Sequence, residues 1–279
     1  MISLPLTRGL SLPLTRGLSL ALPSYTMLDI DAQAYVTDVT TAGATVSDVQ
    51  KEAIDLFVMG EKTASRWTIY KRFYLPIWGV AAANAICMVS LTSGSFVGGV
   101  THNAGYVQSD GITGYFDLGV SSSGLGHTTS SASLFYLAMD SIATKTYIGA
   151  ANDTILTRLN NTSSTNRFNS NTTVFNCATV VATARGVTIG NRVGDNLRVV
   201  TKRLAGYVQS PVISKPADAS MLTQSFYAMC YNYLGTATNI TTSRLGAYGV
   251  GMSFPDVDLQ ITTIAIRELW ETCTGLTLP

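Results

Sequence analysis

The spacing of hydrophobic residues predicts two helices near the beginning of the chain. Residues 31–39 place apolar side chains three and four positions apart, which is the period of an amphipathic helix. A second helix is predicted to begin at Thr45, because Asp48 stands three residues later as in a capping box, and to end at Gly60. The residues expected on its apolar face are Val46, Val49, Ala53, Ile54, Phe57 and Val58.

From Trp67 onwards the pattern becomes that of β-strands, in short runs separated by Gly, Asn, Ser and Thr. The predicted strands span residues 67–75, 133–139, 145–148, 154–159, 172–181, 185–189, 196–204, 206–213, 224–233 and 244–250. Many short strands without alternating helices predict a mainly-β fold, an antiparallel sandwich or barrel. A closing helix is predicted after Ser253, with Gly275 at its end. Its expected buried face consists of Val257, Ile261, Ile264 and Ala265.

The chain carries little charge. Charged residues make up 13% of it, about half of the rough quarter usual in soluble proteins, and the net charge is +1. A nucleic-acid-binding protein normally has a marked basic excess, so nucleic acid is not an expected partner. We interpret one local basic cluster as solvent-exposed sheet surface, because the apolar residues around it alternate as in a strand. Its members are Arg185, Arg192, Arg198, Lys202 and Arg203.

The cysteines and the apolar residues predict neither a zinc centre nor a membrane span. No Cys-x-x-Cys pair occurs and the only histidines are His102 and His127, so we expect buried free thiols. Residues 77–91 are strongly apolar, but they are fewer than the roughly 20 that a membrane span needs. We therefore expect a core strand and a buried connection there. The cysteines are Cys87, Cys177, Cys230 and Cys273.

An exact repeat opens the chain. The octapeptide Ser-Leu-Pro-Leu-Thr-Arg-Gly-Leu of residues 3–10 recurs unchanged at residues 11–18, and Pro and Gly in each copy exclude a helix. In an extended copy the two leucines around each proline share one face, and no acidic residue precedes Asp29. We expect residues 1–28 to dock along a partner, the alternative being a low-complexity tail. The expected anchoring residues are Leu4, Leu6, Arg8, Leu12, Leu14 and Arg16.

Three motifs in the body of the chain resemble those of a known family. They are Trp67-Thr68 with Lys71, Tyr74, Pro76 and Gly79, then His102 with Asp110 to Asp117, then Ile189 to Arg192 ahead of the closing helix. Together they resemble bacteriophage structural proteins with a concanavalin A-like, or laminin G-like, jelly roll. The resemblance implies one jelly-roll domain over residues 29–279, including its flanking helices. It also implies a component of the virion surface: a head fibre, a decoration protein or a tail fibre.

As such a component, the chain is expected to be a homo-oligomer, with a trimer favoured, that contacts capsid or tail subunits through residues 1–28. Enzyme activity is not expected, because no Glu occurs between Glu61 and Glu268 and no paired-carboxylate pattern stands in the strands. No cofactor is expected. Calcium held by Asp110 and Asp117 is an open alternative, although a turn-stabilising role for Asp110 is favoured.

A second functional hypothesis is a glycan-binding adhesin on the same fold, acting on host-surface glycans. Such a site uses an exposed aromatic ring with amide and hydroxyl groups around it. The candidate rings are Tyr106 and Tyr207, each in a Gly-Tyr-Val-Gln-Ser string, and residues 121–127 and 160–171 have suitable polar composition.

Overall fold

The computed structural model of the chain describes residues 25–140, 145–162, 165–172, 177–180, 185–203, 206–214, 216 and 221–278. The anchoring residues expected in the repeat, Leu4, Leu6, Arg8, Leu12, Leu14 and Arg16, lie outside the described residues. Their role therefore stays a prediction.

The described α-helices are α1 (Ile30–Thr41), α2 (Asp48–Thr63), α3 (Ala81–Asn84) and α4 (Leu259–Thr274). Helix α1 begins at Asp29, whose carboxylate accepts hydrogen bonds from the backbone of Asp31 and Ala32. Helix α2 begins at Ser47 in a capping box completed by Gln50. Both helices occur where the hydrophobic spacing predicts them.

The predicted limits and faces of the helices need correction in three places. Helix α2 continues through Gly60 to Thr63, and its Val49 is 59% exposed. On the closing helix the expected buried face is wrong, because Val257 and Ile261 are 80% and 50% exposed. Gly275 ends α4 in the left-handed conformation, as predicted. The large apolar residues Ile266, Leu269 and Trp270 orient α4 and turn Ile261 outwards, whereas Val257 lies in a short 3-10 turn before the helix.

The strands are short and form two sheets. Their bounds are β1 Tyr70–Tyr74, β2 Ser95–Val97, β3 Val100–Asn103, β4 Tyr106–Ser109, β5 Tyr115–Ser121, β6 Ser131–Ala138, β7 Lys145–Ala151, β8 Leu156–Thr162, β9 Thr165–Thr172, β10 Cys177–Val180, β11 Gly186–Val193, β12 Asn196–Arg203, β13 Gly206–Gln209, β14 Ile213–Ser214, β15 Ser225–Ala228, β16 Tyr231–Tyr233, β17 Thr236–Thr238 and β18 Arg244–Gly251.

One sheet runs in the order β13-β12-β11-β6-β18-β4-β3, with β1 beside β18 and β14 beside β12. The other runs β10-β9-β8-β7-β15-β5-β2, with β16 and β17 beyond β7. Neighbouring strands in both sheets are antiparallel, apart from the parallel pair of β16 and β7. The chain is thus a mainly-β, jelly-roll-like sandwich with flanking helices, as the sequence predicts.

Two large hydrophobic cores define three layers, and a small third cluster comprises Tyr227, Cys230 and Ile240. Helices α1, α2 and α4 pack on the outer face of the first sheet through Tyr35, Phe57 and Trp270, among others. The second core lies between the sheets and includes Phe116 and Phe168. We call the first sheet the helix-covered sheet and the second the open sheet, because the described helices pack on the former.

Arg192 lies inside this sandwich, so the interpretation of its cluster as solvated surface is wrong for this residue. Arg192 is fully buried, and its guanidinium donates to the carbonyls of Ser170, at 2.6 Å, and Gly194, at 3.1 Å. Strand β11 packs on helices with one face and on the open sheet with the other. Alternation along a strand shows which residues share a face, but it does not show that both faces are covered.

The thiols of Cys87, Cys230 and Cys273 are free and buried, as expected. Burial raises the pKa of Cys273 to about 12, so this thiol stays protonated at neutral pH. No described helix combines the length and apolar character that crossing a membrane requires.

Candidate functional site

The outer face of the open sheet carries polar and aromatic side chains. On β8, Leu159 belongs to the core between the sheets, and Asn161 donates to Asn166 within the sandwich at 3.0 Å. Because side chains alternate along a strand, Arg158 and Asn160 point to the other face. This face bears no helix layer among the described elements, which makes it the candidate binding surface.

A small pocket lies at one end of this face. It has a volume of about 160 Å³, below the roughly 300 Å³ at which pockets for drug-sized ligands begin. We call it the Tyr231 pocket. It is lined by Ala151, Asn152, Asp153, Thr154, Ile155, Leu156, Arg158, Tyr231 and Tyr233. Its size suits one small ring, and its lining combines two tyrosines with charged and amide groups.

The turn between β7 and β8 forms one wall of the Tyr231 pocket. The side-chain oxygen of Asn152 accepts hydrogen bonds from the backbone of Thr154, at 2.9 Å, and Ile155, at 2.7 Å. This Asx turn fixes the backbone on either side of Asp153. The carboxylate of Asp153 in turn accepts a 2.6 Å hydrogen bond from the hydroxyl of Tyr233.

The opposite wall comes from a distant part of the sequence. Strand β16 runs parallel to the end of β7, so that Tyr233 lies beside Ala151 in the register. The preceding residues turn back at Met229, which has a φ of 69°. The single strand predicted over residues 224–233 is therefore two strands, β15 and β16, and this turn carries Tyr231 and Tyr233 to the pocket.

Arg158 forms the floor between the two walls. Its guanidinium lies over the ring of Tyr231, 5.3 Å from the centroid. Gly149 on the neighbouring strand makes room, because a Cβ there would collide with Arg158. Burial lowers the pKa of Arg158, although an arginine keeps its charge at any physiological pH. Its buried Nε has no hydrogen-bond partner among the described residues.

Two more unpartnered groups extend the polar surface along the sheet. Asn160 pairs with Arg167 of β9 in the register. Neither the Nε of Arg167 nor the Oδ1 of Asn160 has a hydrogen-bond partner in the described structure, although both atoms are buried. Buried polar atoms normally have partners, so these three atoms make this face the candidate site.

The two tyrosines named from sequence as glycan contacts lie elsewhere. Tyr106 on β4 lies beneath Arg244, with the guanidinium 5.5 Å from the ring centroid. Tyr207 on β13 donates its hydroxyl to the carbonyl of Gln260 at 3.2 Å, and both rings pack against the core beneath the helices. Four strands of the helix-covered sheet separate β4 from β13. The structure thus brings Tyr106 and Tyr207 neither together nor to the Tyr231 pocket.

Asp110 closes a tight turn, as favoured from sequence. Its Oδ1 accepts hydrogen bonds from the backbone of Ile112, Thr113 and Gly114, each at 2.8 Å, and its Oδ2 accepts from the Thr113 hydroxyl at 2.6 Å. These bonds, the Thr113 hydroxyl first, hold the pKa of Asp110 well below its usual range.

Asp117 lies on the outer face of the open sheet, where burial raises the pKa of its carboxyl and Gly119 donates to it. Groups of three or more His, Cys, Asp or Glu able to hold a metal ion do not occur in the part of the chain that the structure describes. Calcium binding by Asp110 and Asp117 stays a prediction that no observation tests.

Comparison with known proteins adds one weak likeness. No protein-family model matches the sequence, and no curated protein does. Among solved structures, the chain is similar to the CBM40 module of the Ruminococcus gnavus IT-sialidase bound to α2,3-sialyllactose. The TM-score is 0.36 and the identity 11%, over 62% of this chain and 97% of that one. This likeness carries no ligand and no residue role, and the chain itself is a β-sandwich with a polar, aromatic pocket on its open sheet.

Proposed function

We propose that this chain is a non-enzymatic glycan-binding protein and that the Tyr231 pocket is its binding site. The observation that carries the proposal is the buried, unpartnered Nε of half-buried Arg158 beside two tyrosine rings in a pocket of single-ring size. Small-ligand sites combine an apolar wall with a few placed polar groups, and this pocket has that composition.

Each group of the pocket has a role in this proposal. The tyrosine rings supply flat apolar surface for the C–H face of a sugar, while Arg158 donates N–H groups to ring or hydroxyl oxygens. Asp153 uses Oδ1 for the Tyr233 hydroxyl, which leaves Oδ2 to accept a hydrogen bond from a sugar hydroxyl. Asn160 and Arg167 continue the same chemistry along the sheet for further sugar units.

The test is a glycan array probed with the full chain and four variants. We expect Tyr231→Ala and Arg158→Gln to weaken binding of any recognised glycan at least tenfold, because each removes a wall or floor of the pocket. Tyr106→Ala and Tyr207→Ala are the matched controls, since they remove tyrosines of the other sheet that were candidates from sequence. Circular dichroism must show that each variant is folded.

Two results would contradict this proposal. One is a folded wild-type chain that binds no glycan on a broad array. The other is binding that survives Tyr231→Ala and Arg158→Gln but is lost in Tyr106→Ala or Tyr207→Ala, which would place the site on the helix-covered sheet.

We further propose that the chain is a virion component of a phage, held to the particle by residues 1–28 and assembled as a homo-oligomer. What supports this is the sequence: the duplicated leucine and arginine octapeptide and the three motifs with their family resemblance. Particles produced with a chain that lacks residues 1–24 should not contain it, whereas the full chain should be incorporated. Normal incorporation of the shortened chain would refute the anchoring role.

A further inference from the structure

A groove between α2 and α4 leaves apolar side chains exposed on the helix layer. Its volume is about 370 Å³, more than twice that of the Tyr231 pocket. On α2, Val49 is 59% exposed and Leu56 is 56% exposed, and Gly60 continues the same row. Opposite them on α4 lies Ala265. We call this feature the α2–α4 groove.

The apolar row is unusual because α2 already buries another face. Ile54, Phe57 and Val58 pack into the core, so Val49 and Leu56 are not needed to hold the helix in place. Val49 and Leu56 lie two turns apart on one face of α2, with buried Ala53 and the bare backbone of Gly60 on the same face. A contiguous exposed apolar stripe is typical of a binding surface.

Acidic residues border the groove on both helices. Glu52 of α2 and Glu268 of α4 line it, and neither forms a salt bridge with any described residue. The other charged groups of the lining neutralise one another, because Arg66 contacts Glu61 at 2.8 Å. The groove is therefore an apolar floor with an unbalanced negative rim, which fits a segment that carries apolar and basic residues together.

We propose that the α2–α4 groove binds one copy of the octapeptide repeat of the same chain, which leaves the other copy free to contact the particle. Each copy offers two leucines two residues apart and one arginine, and the whole segment before Asp29 has no acidic residue. The leucines lie on the apolar floor, and the guanidinium of Arg8 or Arg16 pairs with Glu52 or Glu268. The prolines suit this site, because an extended peptide on a helical groove needs no backbone N–H from them.

The position of Tyr25 supports docking within one chain. Tyr25 lies on α2, where its hydroxyl donates to Asp55 at 2.8 Å, and the charge of Glu52 also raises its pKa. The repeat therefore joins the domain beside the groove. Residues 19–24 can reach about 20 Å when extended, enough to pass along α2. Such a short tether gives an effective concentration in the millimolar range.

The lengths also agree. An extended octapeptide spans about 26–29 Å. Helix α2 has 16 residues, which gives a length of about 24 Å. The groove is lined from Val49 to Glu61, about 18 Å of the helix, so one copy of the repeat is long enough to cover it from end to end.

The test measures how accessible the groove is in the full chain. Thr272→Cys places a thiol in the groove at an exposed position. We expect a maleimide to label it at least fivefold more slowly in the otherwise native chain than in a chain in which the leucines of the repeat are also replaced. These replacements are Leu4→Asp, Leu6→Asp, Leu12→Asp and Leu14→Asp. Thr37→Cys on α1, exposed and outside the groove, is the matched control and should label equally in both. Equal labelling of Thr272→Cys in both chains overturns the proposal.

Two further measurements keep the proposal falsifiable if the aspartate chain aggregates. Glu52→Lys with Glu268→Lys should speed labelling of Thr272→Cys, and adding Arg8→Glu with Arg16→Glu should restore the slow rate. Absence of this rescue contradicts the charge pairing. The slow rate should also persist over a hundredfold dilution. A rate that rises on dilution would show that a second copy supplies the repeat, which contradicts docking within one chain.

Discussion

Asp55 shows how a single carboxylate ties the beginning of the described chain to α2. It is fully buried, and it accepts hydrogen bonds from the hydroxyl of Tyr25 and from the backbone of Leu28 and Asp29, at 2.8–2.9 Å. The bond to the carboxylate raises the pKa of Tyr25 to about 12. Three donors satisfy a charge that would otherwise be costly to bury.

His127 makes the stability of the fold depend on pH. It is 6% exposed and lies against Phe226, and burial lowers its pKa from 6.5 to about 4. Above pH 6.5 the imidazole is neutral in both the folded and the unfolded chain, and it adds no pH dependence. Between pH 6.5 and 4 the unfolded chain binds the proton more readily, so the free energy of unfolding falls as the pH falls.

We therefore expect His127→Gln to flatten the pH dependence of stability. A shift of this size corresponds to roughly 3 kcal/mol lost between pH 6.5 and pH 4. Urea unfolding at pH 7 and pH 4.5 measures the difference in the native chain and the variant. His102→Gln is the control, because His102 is less buried and its pKa is lowered less. If the free energy of unfolding fell as much between pH 7 and pH 4.5 in His127→Gln as in the native chain, other groups would dominate acid unfolding.

Among the elements, strand β18 depends on its glycines. A Cβ on Gly246 would collide with the indole of Trp270, whose Nε1 donates to the carbonyl of Gly105 at 2.8 Å. A Cβ on Gly249 would collide with the ring of Phe135. Bare backbone at these positions lets α4 lie close to the middle of the helix-covered sheet.

Gly246→Ala should therefore lower the free energy of unfolding by about 1–3 kcal/mol through overpacking. The matched control is Gly60→Ala on α2, where nothing lies within 4 Å of an added Cβ. This control should stabilise the chain by about 0.5–1 kcal/mol, because alanine is the better helix residue. Thermal unfolding of both variants checks the expectation. If Gly246→Ala and Gly60→Ala changed the free energy of unfolding equally, the packing of α4 would not require glycine at position 246.

For helices and strands, the sequence predicts where an element occurs better than it predicts which of its faces is buried. The period of residues 31–39 and the apolar spacing of residues 46–58 predict the first two helices, because both signals are local. The capping box predicted at Thr45 and Asp48 is wrong, since Ser47 and Gln50 form it. Arg192 is misplaced because a strand buried on both sides looks, in one sequence, like any alternating strand. Ile261 is misplaced because the orientation of α4 depends on where Trp270 meets a distant strand.

For the whole molecule, the predicted boundary after residue 28 can be tested against the contacts of Asp55. Removing residues 1–24 leaves all three donors to Asp55 in place, whereas removing residues 1–28 takes away Tyr25 and Leu28. We expect the second deletion to be less stable than the first by about 1–3 kcal/mol, the cost of leaving a buried acceptor without its partners. Urea unfolding of the two shortened chains measures it. Equal stability of the two shortened chains would place the domain boundary after residue 28, as the sequence predicts.

The candidate site could not be predicted from sequence, although the sandwich could. Arg158 and Tyr231 meet only because a turn at Met229 reverses the chain and β16 aligns with β7. That turn has neither glycine nor proline to mark it, so residues 224–233 resemble one strand. Tyr106 and Tyr207 stand out in sequence through a shared string, yet the structure uses both as packing for the helix layer.

The described helices pack on one side of the sandwich, and this gives the described part of the protein two chemically unlike sides. One side carries exposed leucine and valine between acidic borders, and the other carries arginine, asparagine and tyrosine. Copies arranged side by side in the same orientation would form a layer with two different surfaces. The helix side would present apolar and acidic groups, and the open-sheet side would present polar, basic and aromatic groups. A particle covered by such a layer would present one of these two surfaces to the solvent and would hold the other against its own shell.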